Sequence, residues 1–354
     1  MKKVSLVLLV VLVIGLLPIL VQAQFKPGTG EIKGYMIAEW YTIAEHNTGE
    51  EDDGIVGNRG LWFRRIYFTY NNKLSDKIKM RFRIEMNSPE YEATKLVPYV
   101  KDAWIDFKLG EGINLKAGIL DPPIFTSLEK IWGYRSLEKT PIDLYKWTSS
   151  RDFAVGLYGG KRFQWGGYFG QGSGNKGEVD NGKKIYLHMA YVDKGFNVAL
   201  NGHYEKRKEI ITEILVHPYV TYSGDWGRVG VEYGHRAEKV KPEEGDEESY
   251  KYNLVSAFIV WTASKKIDLI FRYDKNWGNG YYENWKGSNV GYIPFADYAE
   301  PSFFIGAVSW NAANNVWLIP NIKYATYADP KEYGRIDEKP GNDLYLNVTL
   351  FFKF

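Results

Sequence analysis

The chain has 354 residues with 45 basic and 43 acidic side chains, so its overall charge gives no reason to expect a nucleic-acid partner. It contains no cysteine, which excludes disulfide-stapled domains, thiolate metal sites and cysteine nucleophiles. Aromatic residues reach 16%, although the mean hydropathy of -0.36 is typical of a soluble protein.

Residues 1–23 have the pattern of a cleaved secretory signal peptide. Lys2 and Lys3 precede an apolar run over residues 4–20, and Ala23 provides the small residue expected before a cleavage site. The alternative is a retained transmembrane helix, for which the apolar run is borderline in length. No later stretch is apolar enough to span a bilayer as a helix, so a mature chain that meets a membrane must cross it as strands.

The remainder, residues 24–354, is predicted to be a single domain in which apolar and polar residues alternate with period two. In residues 77–86 the apolar face consists of Ile78, Met80, Phe82, Ile84 and Met86. The charged face consists of Lys77, Lys79, Arg81, Arg83 and Glu85. A soluble β-sandwich also alternates in this way, so the connectors and the C-terminal residues decide between the two folds.

The connectors alternate between short and long. We predict about 16 strands, near residues 31–43, 61–71, 77–87, 100–109, 113–120, 152–159, 162–170, 184–192, 196–206, 210–222, 226–236, 250–262, 266–274, 302–310, 316–326 and 343–354. Tight turns such as 110–112 alternate with long polar connectors such as 171–183, 237–249 and 275–301, and only the connector near 207–209 is a short exception. Short turns at one end and long loops at the other are typical of outer-membrane barrels.

The final residues favour the same fold. Apolar side chains occupy alternate positions from Leu344 to Phe354, as in barrels whose last strand closes the cylinder. We therefore predict an all-β fold, a transmembrane antiparallel β-barrel whose apolar faces contact lipid and whose charged faces enclose a lumen. Aromatic residues near strand ends would then form girdles at the membrane interfaces: Trp40, Tyr41, Trp62, Trp104, Trp165, Trp226, Trp261 and Trp317.

The predicted lumen carries both signs of charge. Four residues form a basic ladder on its wall: Lys77, Lys79, Arg81 and Arg83. Arg65 is predicted to face the lumen too, whereas Arg64 is predicted to point outward near the outer rim, towards lipopolysaccharide phosphates. Seven acidic residues are also predicted to face inward: Glu39, Glu85, Asp102, Asp106, Glu213, Glu232 and Asp268. The ladder predicts a local anion preference, and a nearly neutral pore is the alternative.

The longest connector, residues 121–151, begins with Asp121-Pro122-Pro123 and then mixes apolar and aromatic residues with charges. A loop surrounded by solvent does not need such apolar content, and a loop of this length usually has a function. We predict that it folds into the lumen and narrows it. The alternative is a surface loop that packs on a neighbouring subunit.

Four segments resemble a known family when they are taken in order. They are FRR at 63–65, KAGILDPP at 116–123, RDFAVGLYGG at 151–160 and FQWGGYFGQG at 163–172. This series is similar to the phosphate-selective porins O and P. The resemblance implies a trimeric, 16-stranded outer-membrane channel in which arginines and lysines lead phosphate to a narrow zone at an inserted constriction loop.

The resemblance also suggests which residues contact the solute. Arg65 matches the paired-arginine position, and Lys116 stands at the entry to the constriction loop, so both join the predicted pore-lining, anion-binding set. Within the loop the candidates are Lys130, Tyr134, Arg135 and Lys139. The predicted function is passive diffusion of small hydrophilic solutes with a phosphate-type anion preference, without catalysis, cofactor or metal, and with outer-membrane lipid and lipopolysaccharide as surroundings.

Two other classes of function remain open at this stage. A lipid hydrolase embedded in the barrel wall would need a histidine paired with a serine, and His188 and His203 lie on adjacent predicted strands without an evident serine partner. A structural or adhesive barrel could use the acidic stretches 50–53 and 243–248 to bind divalent cations that bridge lipopolysaccharide, although most charge runs are simply solvated.

Overall fold

The computed structural model describes residues 30–47, 54–87, 95–178, 180–208, 210–242, 245–287, 289–290, 293–329 and 338–354. The predicted signal peptide at 1–23 and the acidic stretch at 50–53 lie outside these residues. Among the residues described, no helix combines the length and hydrophobicity needed to cross a membrane.

Strands account for most of the described chain. They are β1 (Gly30–Glu45), β2 (Arg59–Lys73), β3 (Ile78–Asn87), β4 (Val97–Gly110), β5 (Ile113–Leu120), β6 (Asp152–Gly160), β7 (Phe163–Gly170), β8 (Lys183–Asp193), β9 (Phe196–Arg207), β10 (Ile211–Gly224), β11 (Gly227–Val240), β12 (Glu248–Ser264), β13 (Ile267–Trp277), β14 (Asn289–Val290), β15 (Ile293–Pro294), β16 (Pro301–Ala313), β17 (Val316–Tyr327) and β18 (Asp343–Lys353). The helices are α1 (Pro123–Trp132), α2 (Pro141–Leu144) and α3 (Asn279–Glu283).

Sixteen of the strands, β1–β13 and β16–β18, form one closed antiparallel barrel, and β14 pairs only with β15. Each barrel strand pairs with its neighbours in sequence, β13 pairs with β16, and β1 closes the cylinder against β18 with Tyr35 opposite Lys353. The predicted fold class is therefore confirmed, and the predicted strand boundaries differ from the observed ones by at most four residues. The long connectors define the loop end of the barrel, and the tight turns define its turn end.

The two faces of the wall follow the alternation in the sequence. In β8, Ile185, Leu187 and Met189 are 45%, 60% and 50% exposed on the outside of the cylinder, whereas Tyr186 and His188 between them are buried on the inside. The same pattern holds along the outward faces of β9, β10 and β13. An apolar outer belt of this kind is what a membrane-spanning barrel requires.

Arg64 departs from the prediction. Ile37 of β1 lies opposite Arg65, but the next residue of β1 lies opposite Phe63, so a bulge leaves Arg64 unpaired in the ladder. The extra residue turns both arginines inward. The Arg64 guanidinium is buried and donates to the backbone carbonyl of Leu137 at 3.0 Å. The prediction that this side chain reaches lipopolysaccharide at the outer rim is therefore wrong.

The basic ladder is also shorter than predicted. Strand β3 begins at Ile78, so Lys77 lies in the turn that precedes it, and the Lys77 carbonyl accepts a hydrogen bond from the Lys108 N–H at 2.8 Å. Lys79 is exposed near this turn end of the barrel. Of the four ladder residues, only Arg81 and Arg83 stand on the wall well inside the cylinder.

Part of the inner wall is apolar. On β12 the inward side chains include Tyr252, Leu254, Phe258 and Val260, all buried, although the outward side chains of the same strand are apolar as well. Inward residues of β16–β18 join them in one large hydrophobic cluster. An apolar inner face is stable only if something other than water covers it, and two inserted segments of the chain do so.

Candidate functional site

The start of the connector 121–151 forms helix α1 because its residues suit one. Pro123 occupies the first turn, where a missing N–H costs nothing. One face of the helix is buried and consists of Ile124, Phe125, Leu128 and Trp132. Gly133 ends the helix in the left-handed conformation, with φ at 69°, and its N–H donates to the Glu129 carbonyl at 2.9 Å.

Contacts with opposite walls place this connector inside the barrel. Ser127 is hydrogen bonded to the hydroxyl of Tyr219 on β10. The Tyr134 hydroxyl donates to the carboxylate of Asp268 on β13 at 2.5 Å, and this bond and burial both raise its pKa. The Asn201 amide of β9 donates to the Ile124 carbonyl of α1 at 3.4 Å. The connector is therefore held within the lumen, as the sequence predicts, rather than on a surface.

Glu138 is the strongest electrostatic anchor of the connector. Its carboxylate lies 3.0 Å from the Nζ of Lys323 on β17, and both side chains are almost completely buried. Burial alone would raise the pKa of Glu138, but the charges of Lys323 and Arg64 outweigh it and lower the pKa to about 2. The pair ties the connector to the inner face of β17.

A second segment, made up of the described parts of residues 278–300, also enters the lumen and packs on the first. The Trp147 indole donates to the Tyr281 hydroxyl at 3.2 Å, and the Trp285 indole donates to the Tyr145 carbonyl at 3.4 Å. Phe295 stacks on Tyr145 with ring centroids 5.7 Å apart. These rings are buried in the large hydrophobic cluster and cover the apolar inner faces of β12 and β16. The sequence pattern predicts 275–301 only as a long polar connector, so it does not predict that part of this connector enters the lumen.

The polar part of the lumen lies on the other side, where β2, β3 and β4 carry an excess of positive charge. Glu85 is shared by two cations, since the Arg65 guanidinium lies 2.7 Å from one of its oxygens and the Lys101 Nζ lies 3.1 Å from the other. Lys101 is an extra residue in a second bulge, because Arg83 lies opposite Asp102 while the next residue lies opposite Val100. The bulge turns both Lys101 and its neighbour inward.

Asp102 is shared by three arginines. Arg83 lies 3.2 Å from its carboxylate, Arg81 lies 3.8 Å away, and Arg151 donates to its other oxygen. The five cations of this wall thus share two carboxylates, which leaves a formal excess of three positive charges. We call this set the basic wall: Arg65, Arg81, Arg83, Lys101 and Arg151, with Glu85 and Asp102.

Aromatic rings support the basic wall. The Arg81 guanidinium lies 5.1 Å from the centroid of the Trp104 ring, and the Lys116 Nζ lies 4.7 Å from the same ring. Trp104 therefore points inward, and the girdle prediction is wrong for it. Tyr41, Trp62 and Trp317 also pack against the inner hydrophobic cluster. The outward aromatic residues include Trp40, Trp226 and Trp261, which are 42%, 40% and 51% exposed.

A cavity of about 460 Å³ opens between the basic wall, the connector 121–151 and strands β8–β11. Eight cationic side chains line it: Arg65, Lys101, Arg135, Lys139, Lys146, Lys184, Arg207 and Arg236. Three carboxylates line it: Asp143, Glu205 and Glu213. Hydroxyl groups of residues 148–150 complete a polar surface. We call this space the loop-end cavity, since it lies on the loop side of α1.

Two of the predicted loop candidates reach the loop-end cavity. Arg135 lies 3.3 Å from a carboxylate oxygen of Asp143, which partly neutralises it. Lys139 has no ion pair at salt-bridge distance among the described residues, and burial lowers the pKa of its amine. These side chains face the β2–β4 wall across the cavity, so cations border the cavity from two directions.

A smaller cavity of about 350 Å³ lies on the turn side of α1. It brings together the predicted residues Lys116 and Lys130. Lys116 lies 3.6 Å from the carboxylate of Asp121, whose pKa burial alone would raise but the charges of Lys116 and Arg151 lower to about 2. Tyr158 stands beside Lys116, and its hydroxyl donates to Asp106 at 2.6 Å. We call this space the turn-end cavity.

Strands β8–β11 form a second charged cluster that is nearly neutral. Three cations meet three carboxylates in it: Lys184, Arg207, Arg236, Glu205, Glu213 and Glu238. His203, Glu205 and Glu213 place potential ligand atoms within 4.8 Å of one another. However, Lys184 lies 2.8 Å from Glu205, and Arg236 lies 2.7 Å from Glu213, so the carboxylates are already paired with cations. The arrangement is that of an ion-pair network.

The histidines have acidic or amide partners. His203 Nε2 lies 2.7 Å from Glu213, and His217 Nε2 lies 2.7 Å from Glu232. His188 Nδ1 lies 2.7 Å from the Asn201 amide oxygen. Within the described residues none of the three is hydrogen bonded to a serine, so the geometry offers nothing that favours a wall-embedded hydrolase.

The structure therefore distributes the predicted site residues over three places. Arg65, Arg135 and Lys139 meet at the loop-end cavity, and Lys116 and Lys130 meet at the turn-end cavity. Arg81 and Arg83 stand on the wall, and Lys77 and Lys79 lie at its turn end. Tyr134, the aromatic candidate of the loop, is hydrogen bonded to Asp268 and anchors the connector. Six cations of the site were missed by sequence reasoning: Lys101, Lys146, Arg151, Lys184, Arg207 and Arg236.

Solved structures with the same fold are outer-membrane proteins. The anion-selective porin from Comamonas acidovorans superimposes with a TM-score of 0.66 at 10% identity, covering 92% of this chain and 99% of that one. The outer-membrane channel DcaP of Acinetobacter baumannii gives 0.63 at 10% identity, covering 93% of this chain and 99% of that one. The OmpT protein of Vibrio cholerae gives 0.62 at 12% identity, covering 93% of this chain and 99% of that one.

No protein-family model matches the sequence, and no curated protein does. At 10–12% identity the likeness to solved structures concerns the fold, which is the barrel of porins. The chemistry must therefore be argued from the side chains of this chain.

Proposed function

We propose that this protein is an outer-membrane porin, a passive diffusion channel for small hydrophilic solutes with a preference for anions. The observation that carries the proposal is the basic wall, where five cations share two carboxylates beside an open cavity. A cation excess in a narrow lumen attracts anions and repels cations, because permeating ions pass close to the charges and the low-dielectric wall focuses their field. Catalysis has no part in the proposal.

The two inserted segments would set the size limit. Residues 121–151 and the described parts of residues 278–300 cover the apolar walls of the lumen, so the proposed path for solute lies on the basic side. In this proposal solute moves between the loop-end and turn-end cavities past Lys116 and Arg81, which lie on the same Trp104 ring. In this proposal α1 is the constriction.

The charge pattern suits small anions, and inorganic phosphate is the solute to test first. Arginines present two donors in a plane that matches phosphate oxygens, and Arg81 and Arg83 are partly exposed at 28% and 17% of their side chains. The homotrimer implied by the family resemblance stays a prediction, as does the role of lipopolysaccharide around the barrel.

The test is single-channel recording of the refolded protein in a planar bilayer under a KCl gradient. We expect discrete conductance steps and a reversal potential on the chloride side. Phosphate added to the KCl solution should block the current in a dose-dependent way if it binds at the basic wall. A closed barrel without steps would refute the channel, and a reversal potential at zero or on the potassium side would refute the anion preference.

A further inference from the structure

The loop-end cavity carries more hydrogen-bonding groups than a path for simple inorganic anions needs. Its volume of about 460 Å³ lies within the range of pockets that hold whole organic molecules. Cations along the wall are enough to attract chloride or phosphate, but this lining also includes oxygen atoms that can only accept hydrogen bonds. These acceptors therefore restrict which solute the cavity suits.

The part of the cavity between the basic wall and the connector 121–151 has a positive charge that its own carboxylates do not cancel. On the wall, Arg65 and Lys101 share one carboxylate. On the connector, Arg135 lies 3.3 Å from Asp143, and Lys139 has no carboxylate at salt-bridge distance among the residues that the structure describes. Four cations thus face two carboxylates, and the formal excess of two positive charges favours a solute with a net negative charge.

Three oxygen acceptors lie beside these cations. Asp143 uses one oxygen for Arg135, which leaves its other oxygen available. The Asn175 side chain donates to two carbonyls of β4 at 2.8 and 2.9 Å, so its own amide oxygen is left to accept. The exposed Ser149 hydroxyl accepts a backbone N–H at 3.4 Å and still has a hydrogen to donate. A simple inorganic anion has few or no hydrogens to give to such acceptors.

Contacts along the wall bring the cations and the acceptors together. The Lys101 Nζ lies 3.4 Å from the hydroxyl of Ser150, and the Lys101 carbonyl accepts one of the Asn175 bonds. A Cβ placed on Gly174 would lie only 2.9 Å from the Ser149 hydroxyl, so Ser149 and Asn175 stand side by side. The cavity therefore presents a cationic side and an accepting corner within one space.

We propose that the loop-end cavity binds a sugar acid, which is a solute with one carboxylate and several hydroxyl groups. The carboxylate lies at Lys139 and Arg135 in this proposal. The hydroxyl groups donate to the oxygens of Asp143, Asn175 and Ser149. An amino acid suits the cavity less well, because its ammonium group cancels its charge and meets a positive excess. The inference rests on the proposed function, since the cavity is part of the proposed path for anions.

The test is isothermal titration calorimetry on the full refolded protein in detergent, with three matched probes. Galacturonate has both the carboxylate and the hydroxyl groups. Cyclohexanecarboxylate keeps a six-membered ring and the carboxylate without the hydroxyl groups, and galactose keeps the hydroxyl groups without the carboxylate. We expect galacturonate to bind at least about tenfold more tightly than either, because each analogue loses either several hydrogen bonds or the charge contact. Inorganic phosphate should also bind more weakly than galacturonate.

Two variants locate the binding. Lys139→Gln should weaken galacturonate binding about tenfold, because it removes a charge-assisted bond to the carboxylate. Its control is Lys265→Gln in a turn at the opposite end of the barrel. Ser149→Ala should weaken galacturonate binding about threefold and leave cyclohexanecarboxylate unchanged. Its control is Ser264→Ala, since the Ser264 hydroxyl also accepts the N–H of the residue two positions later, at 3.2 Å. Both controls should bind like the parent protein.

Equal binding of galacturonate and cyclohexanecarboxylate would show that the cavity uses charge alone and would overturn the proposal. Tighter binding of galactose or phosphate, or an unchanged galacturonate affinity in Lys139→Gln, would overturn it as well. Binding in detergent does not require conduction, so a barrel that binds galacturonate without forming a channel would refute the proposed function alone. An anion-selective channel that does not bind galacturonate would refute this inference alone.

Discussion

Neutralising the exposed arginines of the basic wall should reduce anion selectivity by a predictable amount. The perturbation is Arg81→Gln with Arg83→Gln, which lowers the formal excess of the wall from three charges to one. Asp102 keeps Arg151 as its partner in this variant. The side chains at both positions remain polar, so the fold has little reason to change.

The magnitude follows from Coulomb's law. A unit charge about 8 Å from a permeating ion in water contributes about 0.5 kcal/mol, so the two charges contribute about 1 kcal/mol. Salt at about 0.1 M reduces this by roughly half. The remaining energy of about 0.5 kcal/mol lowers the anion concentration in the channel about twofold and raises the cation concentration equally. The chloride-to-potassium permeability ratio should therefore fall roughly four- to fivefold.

The assay is the reversal potential under a tenfold KCl gradient, with the single-channel conductance measured in the same experiment. The matched control is Lys184→Gln with Glu205→Gln, which removes one ion pair from the same lumen without changing its net charge. We expect the control to keep the parent reversal potential. An unchanged reversal potential in the arginine variant, or an equal shift in the control, would refute the role assigned to the basic wall.

Three further predictions concern the inserted segments and the histidines. Trp285→Ala should cost about 3–5 kcal/mol of stability, because this buried ring packs between the two segments, and it should increase the noise of the open channel. Trp226→Ala, on the outside of the barrel, is the control and should not increase this noise. The ionised Glu138 carboxylate should stabilise the folded protein, because its pKa of about 2 lies below its unfolded value. This stabilisation should be fully present above about pH 4.5 and lost as the pH falls through about 2, as followed by conductance and thermal melting. Lys323→Met should move that acid transition to higher pH, since it leaves the buried carboxylate without its closest cation. Phospholipid hydrolysis in liposomes should be absent, and hydrolysis that disappears in His203→Ala would show that the barrel is an enzyme.

The strands were predictable because a barrel wall imposes one simple rule. Each residue faces either lipid or lumen, so apolar side chains recur at every second position, and segments such as 184–192 show this without any tertiary information. The connectors between these strands alternate between short turns and long loops. These signals are local, which is why the strand count and boundaries agree with the structure.

Bulges explain most of the errors on the basic side. Period-two reasoning assigns neighbouring residues to opposite faces, but an extra residue in β2 turns both Arg64 and Arg65 inward, and another in β4 does the same for Lys101 and Asp102. The register of the partner strand decides where a bulge falls, and a single strand does not contain that information. The contribution of Lys101 to the charge excess of the basic wall is therefore visible only in three dimensions.

The second inserted segment did leave a signal in the sequence. Residues 278–300 contain Tyr281, Trp285 and Phe295, the same aromatic content that identified residues 121–151 as an inserted loop. Strand β12 adds to this signal, because apolar residues on both of its faces require a cover on the inside as well as lipid on the outside. The aromatic residues of this connector therefore predict a second inserted segment, for the same reason as those of residues 121–151.

The pairing of β1 with β18 constrains the order in which this protein folds. Tyr35 meets Lys353 across more than three hundred residues of chain, so the cylinder closes late and the contact order is high. Weakening the seam should therefore trap chains whose hairpins are formed but whose cylinder is still open.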